Sequence, residues 1–150
     1  MAKTGRGFSA MMTGDLIVLI VLAVATAAGL VWQRRTGRIC AGRAAPIDPA
    51  LLESLGVSSG TVTVLQFSSV WCQPCRTTRA MLDDLVAGRT GVRHVEVEVQ
   101  AHPVAVGELD VRRTPTVLVL DQAGRIVRRA SGAPARADID DALEALLEHS

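Results

Sequence analysis

The chain is predicted to be an α/β protein: a four-stranded mixed sheet flanked by helices, with a transmembrane helix ahead of it. Three observations carry that reading. Downstream of Asp48 the apolar spacing switches between a period of two and a period near 3.6, in the order strand, helix, strand, helix, hairpin, helix. Two cysteines, Cys72 and Cys75, fall at the first strand-to-helix junction. An uncharged apolar stretch, Leu16 to Trp32, stands at the N-terminal side. At 150 residues there is room for one domain and an appendage, and none for a second core. The expected division is an N-terminal tail over 1–15, a membrane span over 16–33, a juxtamembrane linker over 34–47 and the domain over 48–150.

As a helix, Leu16 to Trp32 would be ~26 Å long against a hydrocarbon core of ~30 Å, which is marginal but sufficient. Trp32 supplies an interface aromatic, and Gln33, Arg34 and Arg35 stop the run. A cleaved signal peptide would use Lys3 and Arg6 as its basic start and Ala25-Thr26-Ala27 as its small-residue site. The apolar run continues past that site, which favours a single-pass anchor in the cell membrane. Lys3 and Arg6 before the run are outweighed by Arg34, Arg35, Arg38 and Arg43 after it, a bias toward a cytoplasmic catalytic domain; an extracytoplasmic one is the alternative. The lipid bilayer is thus an expected partner.

From Arg34 to Ala45, Gly37, Gly42 and four arginines interrupt any apolar period, as a linker would. Asp48 as N-cap, Pro49 at the first helical position, then Leu51, Leu52, Leu55 and Gly56 predict a short helix. Thr61 to Ser68 reads as a strand, Gln73 to Ala87 as a helix with Thr78, Met81, Leu82, Leu85 and Val86 on one face, and Val92 to Val99 as an alternating strand. A short helix from Pro103 to Leu109 follows. Thr116 to Leu120 and Arg125 to Ser131 form a hairpin around Asp121-Gln122-Ala123-Gly124, where Gly124 supplies a positive φ. Ile139, Ala142, Leu143, Leu146 and Leu147 define a last amphipathic helix, with Asp138, Asp140 and Asp141 in its first turns. Two parallel strands joined by a crossover helix, with two antiparallel strands beside them, make the sheet mixed and leave Val92 to Val99 at an edge.

Trp71-Cys72-Gln73-Pro74-Cys75 is the stretch that carries chemistry. Two thiols spaced this way can exchange with a disulfide. Cys72 at a helix N-terminus meets unsatisfied N–H groups and the positive end of the macrodipole, both of which favour thiolate over thiol. Pro74 suits the first turn, which needs no N–H from it. Other classes fit less well. The net charge is +1 and no basic stripe with interleaved aromatics is present, so nucleic acid is not an expected partner. Three cysteines exclude a small disulfide framework and leave Cys40 outside the pair, as a linker thiol. A zinc site would have to draw on Cys40, His94, His102 and His149 without a second paired spacing, so no metal is expected. Arg76 excludes the Cys-x-x-Cys-His pattern of haem attachment. His94 and His102 read as solvated surface residues.

This element order, with Trp-Cys-x-x-Cys after the first strand of the domain and Arg113-Thr114-Pro115-Thr116 before the hairpin, resembles the thioredoxin family from about Asp48 onward. The resemblance implies a thioredoxin-like fold with a cis peptide at Thr114–Pro115, a substrate groove formed by Trp71, Gln73, Pro74, Thr114, Pro115 and Gly132, and a redox-active Cys72–Cys75 disulfide with no other cofactor. It also implies disulfide-containing protein substrates and an electron-donating thiol reductase. Cys72, at the exposed helix end, would attack a substrate disulfide and Cys75 would resolve the mixed disulfide. Gln73-Pro74 keeps the proline of the reducing members and lacks the His of oxidising dipeptides, which points to a reductase. There are departures. Gln66 stands where thioredoxins carry a buried Asp, and Glu96 where they carry its Lys partner, so proton removal from Cys75 falls to water, substrate or Glu96; Arg76 adds positive charge nearby. The first strand of full thioredoxins has no counterpart between Pro46 and Gly60. A redox or copper-handling binding partner without turnover is the alternative function.

Overall fold

The computed structural model describes residues 6–35, 39–41 and 46–148. Lys3, Gly37, Arg38, Gly42, Arg43 and His149 lie outside them, as do the side chains of Arg6, Trp32, Arg34 and Arg35. The chain divides into two compact units, residues 1–35 and 36–150.

The first unit holds helix α1 (Arg6–Arg35), which takes in the apolar run and begins well before Leu16, inside the expected tail. Leu16 to Leu22, Val24, Leu30 and Val31 point bulky apolar side chains outward, 52–64% exposed. Among the described residues no helix is long and apolar enough to cross a membrane. The expected transmembrane helix therefore stands without support among the described residues.

The second unit is a five-stranded sheet in the order β1-β5-β4-β2-β3, built from β1 (Ile39–Ala41), β2 (Val62–Ser68), β3 (Val92–Glu98), β4 (Thr116–Leu120) and β5 (Ile126–Ser131). Its helices are α2 (Pro49–Ser54), α3 (Gln73–Val86), α4 (Pro103–Glu108) and α5 (Arg136–Leu147). β2 and β3 are parallel and α3 makes their crossover, while β4 and β5 run antiparallel beside β2. The predicted sheet is one strand short. β1 lies within the stretch read as linker and pairs antiparallel with β5, Cys40 opposite Arg129. Three residues flanked by glycine and arginine carry too little pattern to announce a strand. What makes it one is the edge of β5, whose backbone groups it satisfies.

Helices on both faces explain why every residue of β2 and β4 is buried. On one face Leu65, Phe67, Leu118 and Leu120 pack with Leu52 and Leu55 near α2 and with Ala105 and Leu109 near α4. On the other, Val62, Val64, Val117 and Val119 pack with Leu82 and Leu85 of α3 and Ile139, Ala142 and Leu143 of α5. Each fully buried Leu, Ile, Val or Phe contributes ~1.5–3 kcal/mol relative to exposure, so these two layers dominate stability. Local signals agree with the packing. Asp48 caps α2 by accepting the Ala50 N–H at 2.8 Å, and Gly124 has φ 74 in the hairpin turn, beside Leu52.

β3 is the opposite edge, as the alternation implied. Val95, Val97 and Val99 join the first core. Facing α3 instead are His94 and Glu96, and they are tied to it: His94 Nδ1 lies 2.7 Å from Asp83 Oδ1, and Arg79 Nη1 lies 3.0 Å from Glu96 Oε2. His94 is thus a correction to the surface reading, since its side chain is only 4% exposed. The α3 carboxylate and the packing of the helix over the strand draw the ring in.

Candidate active site

Strand β2 ends at Ser68, and the chain turns through Ser69, Val70 and Trp71 into α3. Cys72 is the N-cap of that helix, with an extended backbone (φ −85, ψ 97). Its N–H donates to the Ser69 carbonyl at 3.0 Å, and its sulfur accepts the Cys75 N–H at 3.2 Å. An N-cap oxygen is the usual acceptor here; sulfur takes the place, and the helix end turns a donor toward it. Pro74 sits in the first turn, where it interrupts no helical bond. Cys72 and Cys75 form a disulfide, S–S 2.08 Å with Cα atoms 5.2 Å apart. The two sulfurs are not equivalent. Cys72 is half-buried and Cys75 only 2% exposed, so an approaching molecule meets Cys72 first.

Register brings the other loops to the same end of the sheet. Phe67 pairs with Thr116 and Thr116 with Ser131, so the segments after β2, before β4 and after β5 lie side by side. The Thr114–Pro115 bond is cis, as expected. Thr114 Oγ1 lies 3.3 Å from Ser69 Oγ, which ties the proline segment to the loop that precedes the cysteines. The Gly132 N–H donates to the Pro115 carbonyl at 2.7 Å, and Gly132 has φ 105, a conformation open to glycine. Beside the disulfide, Val70 and Trp71 are 68% and 92% exposed. Gln73 and Arg76 are exposed and paired with each other through Oε1 and Nη2, so Arg76 is turned to the neighbouring dipeptide.

Beneath the pair the arrangement is polar. Gln66 is fully buried; its Nε2 donates to the Cys75 carbonyl at 3.0 Å and to Glu96 Oε1 at 3.4 Å. Its own Oε1 is buried with no hydrogen-bond partner. Register accounts for the cluster, since Gln66 pairs with Glu96 and Ser68 with Glu98. A cleft of about 300 Å³ opens here, lined by Cys72, Cys75, Arg76, Arg79, Glu96 and Glu98 with Ser68 and Ser69 behind. Glu98 was not among the residues expected from the sequence. The signal was there in the period of two: Glu98 follows Glu96 by one repeat of an alternating strand whose register against β2 ends beside the cysteines.

Elsewhere, Cys40 is exposed on β1 and outside the Cys72–Cys75 disulfide. His102 is half-buried just before α4 and makes no capping bond from its side chain. Among the described residues no group of three or more His, Cys, Asp or Glu side chains could hold a metal ion. A second cleft of about 360 Å³ lies near α2 and α4, where Arg129 donates to the carbonyls of Leu109 and Asp110, both at 2.6 Å. Its guanidinium is occupied by main chain and far in character from the dithiol.

The thioredoxin family model matches residues 53–145. Among curated proteins, the chain is 33% identical to thioredoxin H5 of Oryza sativa subsp. japonica over 73 residues, 49% of this chain and 54% of that protein. It is 32% identical to the thioredoxin of Haemophilus influenzae over 88 residues, 58% of this chain and 81% of that one. The chain thus spans about half of the rice protein and most of the bacterial one. Among solved structures, a mutant thioredoxin from Halobacterium salinarum superposes with a TM-score of 0.56 at 20% identity, covering 67% of this chain and 87% of that one. Mitochondrial thioredoxin 3 from Saccharomyces cerevisiae, in its oxidized form, gives 0.55 at 23% identity, covering 64% and 90%. At those identities the structures speak for the fold alone.

Proposed function

Because the chain belongs to the thioredoxin family, we propose that it is a thiol–disulfide oxidoreductase that reduces protein disulfides through Cys72 and Cys75 and is tethered to a membrane by α1. The observation that carries this reading is the asymmetry of the pair: one sulfur half-buried at the helix N-cap, the other buried one turn in, both within a single bond of each other.

In the cycle, the reduced Cys72 thiolate attacks a substrate disulfide, and the substrate's other sulfur leaves as a thiol. Cys75 then attacks Cys72 Sγ, the mixed disulfide breaks, the second substrate sulfur leaves, and the Cys72–Cys75 bond forms. An electron-donating thiol reductase restores the dithiol, and no further cofactor is needed. Helix α3 favours the thiolate on Cys72 as nucleophile and again as leaving group when Cys75 attacks. Trp71, Gln73 and Pro74 on one side, with Thr114, Pro115 and Gly132 on the other, form the walls between which an extended substrate segment lies. The exposed Val70 and Trp71 give it an apolar surface.

The tether rests on the composition of the run Leu16 to Trp32 and on the outward apolar side chains of α1, which water would not favour. The arginines after the run favour the cytoplasmic side for the catalytic domain, with the extracytoplasmic side as the alternative. Insulin reduction by the full-length protein in detergent, driven by dithiothreitol, tests the activity. Turnover lost in Cys72→Ser supports it; stoichiometric Cu(I) uptake without turnover would replace it with the copper-handling alternative. Membrane-impermeant maleimide applied to reduced intact cells tests the side, and labelling of Cys72 from outside contradicts a cytoplasmic domain.

A further inference from the structure

When Cys75 attacks the mixed disulfide it must shed a proton, and it does so from a buried position. The groups that can take that proton are the ones lining the cleft it shares. Four of them carry charge: Arg76 and Arg79 from α3, Glu96 and Glu98 from β3. The two arginines hold no lone pair for a proton. Glu96 is engaged at both oxygens, Oε1 by Gln66 Nε2 at 3.4 Å and Oε2 by Arg79 Nη1 at 3.0 Å. Glu98 differs. Its Oε1 is buried and has no hydrogen-bond partner, and its side chain lines the same cleft as both sulfurs. Gln66, which cannot titrate, bonds the Cys75 carbonyl and Glu96 and so holds the floor of the cleft in place.

We propose that Glu98, rather than Glu96, accepts the Cys75 proton in the resolving step, directly or through one water. The proposal rests on the oxidoreductase reading above. The step balances: the Cys75 S–H bond breaks as the Cys75–Cys72 bond forms, the bond from Cys72 to the substrate sulfur breaks, and that sulfur leaves with the electron pair. The proton passes to the Glu98 carboxylate and then to the leaving sulfur or to solvent. Proton transfer is concerted with attack, so the carboxylate does not have to hold the proton as a stable acid.

The test uses full-length protein in detergent, with Cys40→Ser as background, reduced and mixed with 5,5′-dithiobis(2-nitrobenzoate) in a stopped-flow instrument. Attack by Cys72 releases the first nitrothiolate and resolution by Cys75 the second. In Glu98→Gln the first phase stays as it was, while the second slows at neutral pH by about tenfold or more, against the ~10²–10⁴ that positioned proton transfer supplies. The deficit narrows in alkaline solution, where hydroxide can take the thiol proton in place of the carboxylate. Glu98→Asp, which keeps the carboxylate, recovers part of the second phase. A second phase as fast as in the background protein, or both phases slowed alike at every pH, overturns the assignment. Release of only one nitrothiolate per background protein instead removes the oxidoreductase reading, and the assignment with it.

Discussion

Replacing Gln66 by Leu removes the one buried polar side chain directly under the second cysteine while nearly keeping its volume. Two terms oppose each other. The bond from Nε2 to the Cys75 carbonyl is lost, at a net cost of ~0.5–1.5 kcal/mol; the 3.4 Å contact with Glu96 adds little, because Arg79 still holds that carboxylate. Against this, Oε1 is buried with no partner, and its removal recovers the ~1–3 kcal/mol that an unsatisfied acceptor costs. The amide orientation is not arbitrary. Both neighbours of Nε2 are acceptors, so exchanging nitrogen and oxygen would set oxygen against oxygen twice. The oxidised Gln66→Leu protein is therefore expected to be as stable as the parent or up to ~2 kcal/mol more so, with an unchanged m value, in urea denaturation of full-length protein in detergent. A loss greater than ~1.5 kcal/mol would refute the reasoning, since it would mean that Oε1 contributes a bond of its own.

Three further outcomes are expected. Gly124→Ala places a Cβ at φ 74 and against Leu52 Cδ1, so it should destabilise by ~1–3 kcal/mol in the same assay, and a neutral result would show that the turn relaxes freely. Asp121 gives a pH signature. Burial pushes its carboxyl up, but the Arg125 N–H, the Arg125 guanidinium and the Ala123 N–H together outweigh it and hold it below its ordinary 3.8. A folded value below the unfolded one means stability that is present above the unfolded value and lost as pH falls through the folded one. Asp121→Asn should therefore be less stable than the parent at neutral pH, with the gap closing in acid; an equal gap at both ends contradicts it. Asp48→Ala removes the cap on α2 and should cost ~0.5–2 kcal/mol, whereas no change in urea midpoint would show that Pro49 alone sets the helix start.

Most of the domain was legible because its signals are local. The alternation in Val92 to Glu98, the cap at Asp48 and the glycine in the turn after Asp121 each act within a few residues, and the two core faces follow from them. β1 was not, because Ile39 to Ala41 becomes a strand through the edge of β5 and carries no pattern of its own. The burial of His94 was hidden for a similar reason: the alternation places it correctly on the α3 face, but whether that face is wet depends on Asp83 above it. Cys72 and Cys75 could be found by spacing and position. Gln66 and Glu96 could be found by resemblance, whereas the contrast between an occupied Glu96 and an open Glu98 is a matter of individual lone pairs, which no periodicity encodes.

The central claim, that Cys72 attacks and Cys75 resolves, is tested most directly by trapping. Full-length Cys75→Ser, reduced and offered insulin, should accumulate a mixed disulfide located at Cys72 by peptide mass spectrometry, while Cys72→Ser should accumulate none at Cys75. An adduct on Cys75 formed as readily as the one on Cys72 would contradict the account, because the burial that separates the two sulfurs would then decide nothing.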